Sequence, residues 1–296
     1  MSLMIRRRWV VCICAVLLEA CTVPGTVPIG SAIEPPAGWL HGDGIAFSRR
    51  AWWRQFEDPV LDALVEEGLR GNLDLRQADD RIAEARELWR AESGSAWPTV
   101  SAGATMARSR QISEVSGRPY DSTGEQGVLQ VSYELDLWGK IESMKGAAAA
   151  SYEAARASRD AAELTIASTI ASTYIALRAS DARLALDRQT LESRQRSLAV
   201  NQARFRTGYG SSLEVAQAEL EMRATALTIP QDMLATERLE RALDVLLARP
   251  PGAIERGRPF DDLVEPPMPS AGLPSELLQR RPDIAVAEWQ LLASDS

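Results

Sequence analysis

Side chains suited to catalysis or metal binding are sparse in this chain. The one histidine, His41, has no cysteine or carboxylate cluster near it, which fits a solvated loop residue better than a base or a metal ligand. No serine or cysteine stands in a nucleophile motif, no glycine-rich loop has phosphate-binding spacing, and no residue set has metal-ligand spacing. The sequence therefore predicts neither an enzyme nor a cofactor. The chemistry left open is covalent modification of Cys21, whose thiol directly follows an apolar run. Cys12 and Cys14 lie inside that run, so the chain without it keeps one cysteine and no internal disulfide.

The run from Trp9 to Leu18, preceded by Arg6, Arg7 and Arg8, is too short for a spanning helix, which needs ~20 residues. It reads as an export signal covering residues 1–20. Its end, Leu18-Glu19-Ala20-Cys21, resembles the bacterial lipoprotein signal, in which the cysteine becomes the lipidated first residue; Glu19 departs from the small or aliphatic residue usual there. Ordinary cleavage after Ala20 is the alternative, and Leu18 fits it less well. Several acyl chains on Cys21 would give lasting attachment to a membrane, where one chain holds only marginally. Removing the signal leaves 30 basic and 40 acidic residues, which moves the net charge from -8 to -10 and argues against a nucleic-acid partner.

The elements behind this surface are mostly helical. From Ala147 to Thr207 there is neither glycine nor proline, enough for a helix of roughly 92 Å at ~1.5 Å per residue. Ile170, Leu177, Leu184, Leu191, Leu198 and Phe205 recur every seventh residue, which predicts a left-handed supercoil with a partner. The second core position of each heptad holds Thr173, Tyr174, Ser180, Asp181, Asp187, Arg188, Arg194 or Gln195 in place of a large apolar residue. That pattern favours a curved wall of helices over a two-stranded rope, with an ordinary long hairpin or adaptor-type coiled coil as the alternative. Further helices are predicted over 59–70, 74–92 and 212–248, and the long one is taken as 140–207. The helix at 212–248 carries its own heptad leucines, Leu213, Leu220, Leu227 and Leu234, and is expected to bend at Pro230 without ending there. The long helix is expected to meet it in a hairpin, with Gly208 and Gly210 in the turn.

Two strands are predicted, at 99–110 and 128–137. In the second, Leu129, Val131, Tyr133, Leu135 and Leu137 alternate with Gln130, Ser132, Glu134 and Asp136, which makes one face apolar and the other polar. Its length matches a tilted membrane strand of ~9–11 residues, and a soluble sandwich strand is the alternative. Between the strands, Ser116-Gly117-Arg118-Pro119 and Ser122-Thr123-Gly124 carry turn chemistry. Domain organisation then runs as a tether (21–58), a first structural repeat (59–249), a proline-rich linker over the outside (250–274) and the start of a second repeat (275–296). Aligning Leu69–Ala85 with Leu278–Ser294, 209 residues later, supports the repeat and the expectation of a chain that continues beyond Ser296.

Four stretches resemble the outer-membrane efflux protein family of TolC-like channels, in its OprM-like lipoprotein branch. They are Trp53–Leu64 with Phe56, Asp58 and Leu61; Glu134-Leu135-Asp136-Leu137-Trp138-Gly139; Arg204–Val215 with Arg206, Gly208, Ser212 and Leu213; and Leu277–Ile284, which includes Arg280-Arg281-Pro282-Asp283. The resemblance covers the first half of the family pattern. It implies a mainly α fold with a β-hairpin, in which long antiparallel coiled-coil helices form the wall of an α-barrel and two membrane strands join a trimeric β-barrel. It further implies a homotrimer in outer-membrane lipid that exports drugs or other small molecules with a periplasmic adaptor and an inner-membrane pump. The lipid face would be Leu129, Val131, Tyr133, Leu135 and Leu137, and the adaptor-facing tip Arg206, Thr207, Gly208, Ser211, Ser212 and Leu213. Glu134 and Asp136 would face the lumen or simply solvent. The family's gate residues lie in a part of the pattern absent here. A periplasmic structural or adaptor coiled-coil lipoprotein, or a non-functional fragment, remains the alternative.

Overall fold

Asp58 and Pro59 start the first helix: the carboxylate accepts from the amides of Val60 and Leu61, and proline at the first turn forfeits no helical hydrogen bond. The structure, a computed structural model, describes residues 45–46, 51–112, 114, 117–266, 269–270 and 280–295. The signal, Cys21, His41, Ser116 and Leu277–Gln279 lie outside them. In chain order the elements are β1 (Ile45–Ala46), a 3-10 turn (Trp52–Phe56), α1 (Pro59–Gly71), α2 (Leu73–Gly94), β2 (Thr99–Ile112), β3 (Pro119–Ser132), α3 (Lys140–Arg206), α4 (Ser212–Leu246), a 3-10 turn (Phe260–Asp262), β4 (Pro269–Ser270) and α5 (Pro282–Asp295). The chain is mainly helical, with one antiparallel hairpin, β2–β3, and a short parallel pairing of β1 with β4. Among the described residues no helix is long and apolar enough to cross a membrane.

The contacts divide into two units. Of the described residues, one gathers Arg81–Arg156 and those from Val286; the other holds those up to Asp80 and Ala157–Ala285. The second has the larger core. Leu61, Leu64 and Val65 of α1, Leu75 of α2, Ile166, Ile170, Tyr174 and Leu177 of α3, Leu243 and Leu247 near the end of α4, and Ile254 are buried together. Gly68 permits the close approach of α1 to α3: a Cβ there would sit 2.2 Å from Ile170 Cδ1. In the first unit, Trp89 of α2 stacks on Tyr152 of α3 at 5.9 Å between ring centroids.

The heptad seam of α3 is buried at Ile170 and Leu177, half-buried at Leu184, Leu191 and Leu198, and exposed at Phe205. Its polar second positions meet polar partners on α4. Ser180 bonds Thr236 at 3.0 Å, the Thr228 hydroxyl donates to Asp187 at 2.9 Å, and Arg194 pairs with Glu221 at 2.6 Å. These contacts descend one helix while climbing the other, so the pair is antiparallel. The leucine repeat of α4 does not line this seam. Val215, Met222, Ile229, Thr236 and Leu243 form the covered heptad series, while Leu213, Leu220, Leu227 and Leu234 are exposed. A two-residue offset turns a side chain about 200° around the axis, which puts those leucines on the opposite face. Helix α4 continues through Pro230.

Three further expectations are corrected. The second strand spans Pro119–Ser132, so Tyr133, Leu135 and Leu137 lie beyond it. Their partner strand cannot continue past Thr99, because Trp97-Pro98 precedes it and proline has no ladder donor. Ser122, Thr123 and Gly124 sit inside the strand, opposite Ser109, Arg108 and Ala107, and the turn is confined between Ile112 and Pro119. The connection after α4 is no outer strap in its first part: Ile254 is 4% exposed, and Arg256–Arg258 are bonded into the second unit's core. The repeat alignment pairs Leu73 with Pro282, and these are the first residues of α2 and α5.

Candidate functional site

All residues of β2 and β3 are exposed on both faces of the hairpin. Facing partners in an antiparallel ladder point to the same side, so Val100, Ala102 and Met106 share a face with Val131, Leu129 and Glu125. Rows Thr99/Ser132 to Thr105/Gln126 contain no charge. Farther out the ladder is charged, with Arg108 2.9 Å from Asp121 and Arg110 also beside it. Tyr133, Leu135 and Leu137 continue the alternation of Leu129 and Val131 and are exposed, without a strand partner among the described residues. Trp97 shortly precedes β2, Tyr133 and Trp138 shortly follow β3, and all three are exposed.

The Glu134–Gly139 stretch has a structural role at this base. Asp136 accepts from the amide of Glu142 at 3.0 Å, satisfying a free donor in the first turn of α3, and Glu134 pairs with Lys140 at 3.0 Å. Gly139 supplies a positive φ of 77° for the sharp entry to the helix.

At the other end of α3, the six predicted tip residues stand in one turn. Gly208 adopts a φ of 80°, and the amides of Gly208 and Tyr209 donate back to Phe205 and Arg204, which closes the helix in a left-handed cap. Ser211 then starts α4 with a reciprocal box: its hydroxyl accepts from the Glu214 amide while the Glu214 carboxylate accepts from the Ser211 amide. Arg206, Thr207, Gly208, Ser211, Ser212 and Leu213 are all exposed. Tyr209, which the sequence reading passed over, is 82% exposed at the apex; an aromatic between two glycines was the available signal.

The sequence also hid the polar centre of the second unit. Asp58 Oδ2 accepts from the Tyr174 hydroxyl at 2.9 Å and the Arg258 amide at 3.1 Å, while that hydroxyl accepts from the Gly257 amide at 2.9 Å. Burial, then the hydrogen bond to Asp58, pushes the Tyr174 phenol up to about 12, so it stays a neutral donor. A side chain at Gly257 would put its Cβ 2.1 Å from the Asp58 carboxylate. Asp181 ties Arg178 to Arg256, and Asp244 holds Arg241, Arg249 and the Gly252 amide. These groups bind the connection after α4 to the helices.

A cavity of about 470 Å³ lies beside Trp52, Trp53, Arg159, Asp160, Glu163 and Leu164. Arg159 is already engaged by Glu163 and by Asp79 at 3.2 Å. Among the described residues no three histidine, cysteine or carboxylate groups converge as metal ligands. The exposed features are thus an apolar-faced hairpin, a leucine stripe and a protruding turn, all suited to contact.

Residues 64–249 match the profile of a family described as "Outer membrane efflux protein". The chain is 31% identical over 290 residues to the pyoverdine export outer membrane protein OpmQ of Pseudomonas putida, covering 94% of this chain and 61% of that protein. With OpmQ of Pseudomonas aeruginosa the identity is 29%, over 95% of this chain and 62% of the relative. Among solved structures, the outer-membrane channel OprN superposes with a TM-score of 0.79 at 29% identity, covering 93% of this chain and 63% of that one. The chain therefore spans about three fifths of the length of these curated relatives.

Proposed function

Because the chain belongs to the outer membrane efflux protein family, we propose that it serves as the outer-membrane channel subunit of a tripartite efflux system exporting drugs or other small molecules. In this reading three copies assemble. Their hairpins enter a β-barrel in outer-membrane lipid, and their helices wall a periplasmic tunnel engaged by an adaptor and an inner-membrane pump. The observation that carries it is the hairpin. An isolated two-stranded ribbon is marginal in water, and this one exposes Val100, Met106, Leu129 and Val131 along an uncovered face. Lipid on that face and neighbouring strands on both edges would satisfy it.

Tyr133, Leu135 and Leu137 extend the lipid face once a neighbouring strand supplies the missing partner. Trp97, Tyr133 and Trp138 suit the membrane–water boundary, where amphipathic rings collect. The outer leucines of α4 belong against a neighbouring helix of the wall, each gaining roughly 1.5–3 kcal/mol on burial. The turn Arg206–Leu213, exposed and internally braced, offers the adaptor a firm surface. Cys21 holds the N-terminus to the bilayer through acyl chains. Within this reading the chain divides into a signal, a tether, a first repeat and the start of a second.

The full reading frame, expressed with its own leader and purified in detergent, should be a trimer that conducts ions in planar bilayers. Trimers that stay silent in the bilayer overturn the channel. Mass spectrometry of the mature N-terminus tests the anchor separately: an unmodified cysteine or a retained leader removes that part and leaves the channel standing.

A further inference from the structure

Helix α4 is weakest at Pro230, which has no amide to donate to the Ala226 carbonyl. Polar side chains flank that gap on the face toward α3. Thr228 donates to Asp187 of α3 at 2.9 Å, and Arg183 of α3 stands 3.3 Å from Asp232 Oδ1. Asp232 is 7% exposed, and its Oδ2 is buried with no donor among the described residues. Arg183 and Asp187 stand one turn apart on α3, as Thr228 and Asp232 do on α4, so these two contacts set the Asp187 and Asp232 carboxylates side by side. A buried carboxylate oxygen facing a second carboxylate is strongly unfavourable unless a proton sits between them.

We propose that Asp187 and Asp232 share one proton and so form a clasp across the α3–α4 hairpin, closing it while the proton is held and loosening it around Pro230 when the proton leaves. Arg183 is the cation that faces the pair, and it compensates only the one negative charge that remains after sharing. The hydrogen bond to Asp187, then burial, holds the Asp232 carboxyl above the ordinary 3.8; the hydrogen bonds from Asp232 and Thr228 hold that of Asp187 below it. The raised group contributes stability that is lost as pH climbs from 3.8 through its folded value. The depressed group contributes stability that is lost as pH falls through its own. The clasp is tightest between the two values, where the pair carries one proton. Its position beside a helix lacking one backbone bond makes it a proton-linked hinge in the hairpin that ends at the Arg206–Leu213 turn.

The test is hydrogen exchange of the whole chain in detergent, read on α4 peptides around Pro230 at about pH 4 and about pH 8, with the intrinsic pH dependence of exchange removed. Protection is expected to be several-fold greater at the lower pH. Asp232→Asn, whose amide imitates the protonated acid, should keep that protection at both values. Equal protection of the wild type at both pH values overturns the clasp, as does a pH dependence that survives Asp232→Asn. If that variant misfolds, Asp187→Asn takes its place, and carbon-13 titration of the wild-type aspartates decides directly: one carboxyl titrating above and one below the ordinary range supports the clasp, and two ordinary titrations overturn it.

Discussion

The two ends of helix α4 handle unlike chemistry in opposite ways. Near Leu243 the helix packs into a core whose buried polar groups, Asp58, Tyr174 and Asp244, are partnered within the chain. From Leu213 to Leu234 the same helix exposes four leucines at heptad spacing, and its covered face is partly polar, with Thr228, Asp232 and Thr236 turned toward α3. The first arrangement is closed at its centre: the Asp58 and Asp244 carboxylates and the Tyr174 hydroxyl all have partners within the chain. The second is open, because apolar residues on the outside gain nothing until something covers them. Self-sufficient packing and uncovered apolar surface are thus separated along one helix.

The largest effect should come from opening the knot. Asp58→Ala removes the N-cap of α1 and leaves the Tyr174 hydroxyl and the Arg258 amide without an acceptor, a loss of about 3 kcal/mol or more in denaturant unfolding. An unchanged midpoint would mean that water replaces the carboxylate and the region is not closed. Leu177→Ala, at a fully buried heptad site, should cost about 2–5 kcal/mol.

Alkaline unfolding sharpens the contrast further. The folded Tyr174 pKa is raised from 10.0 to about 12, so its contribution is complete below pH 10 and is lost as pH rises toward 12. That loss is on the order of 2–3 kcal/mol and should vanish from the pH profile of Tyr174→Phe. The smallest effect on stability belongs to the open region. Leu220→Ala should shift the midpoint by no more than about 0.5 kcal/mol while lowering the trimer fraction in crosslinking. A Leu220→Ala as damaging as Leu177→Ala would show that the stripe packs within its own chain, and the comparison would fail.

Much of the helical scaffold was legible because its signals are local. The absence of glycine and proline marks the long helix, Pro59 marks a helix start, and Gly208 with Gly210 marks the turn between α3 and α4. The hairpin was only half legible: alternation located β3, but its ends were set by where β2 could supply a partner. The turn between α3 and α4 was placed in sequence, whereas Tyr209 at its apex was overlooked because exposure is not a sequence property.

By itself the sequence determined the helical periodicities and the alternating strand, since each depends on residue types at short spacing. Which heptad series of α4 faces α3 was decided only by the tertiary structure. Two series two residues apart are equally periodic, and the choice rests on matching Ser180, Asp187 and Arg194 with polar partners on the facing helix. The same holds for Asp58, Tyr174 and Gly257, which are far apart in the chain and acquire a common role only where α1, α3 and the connection after α4 converge.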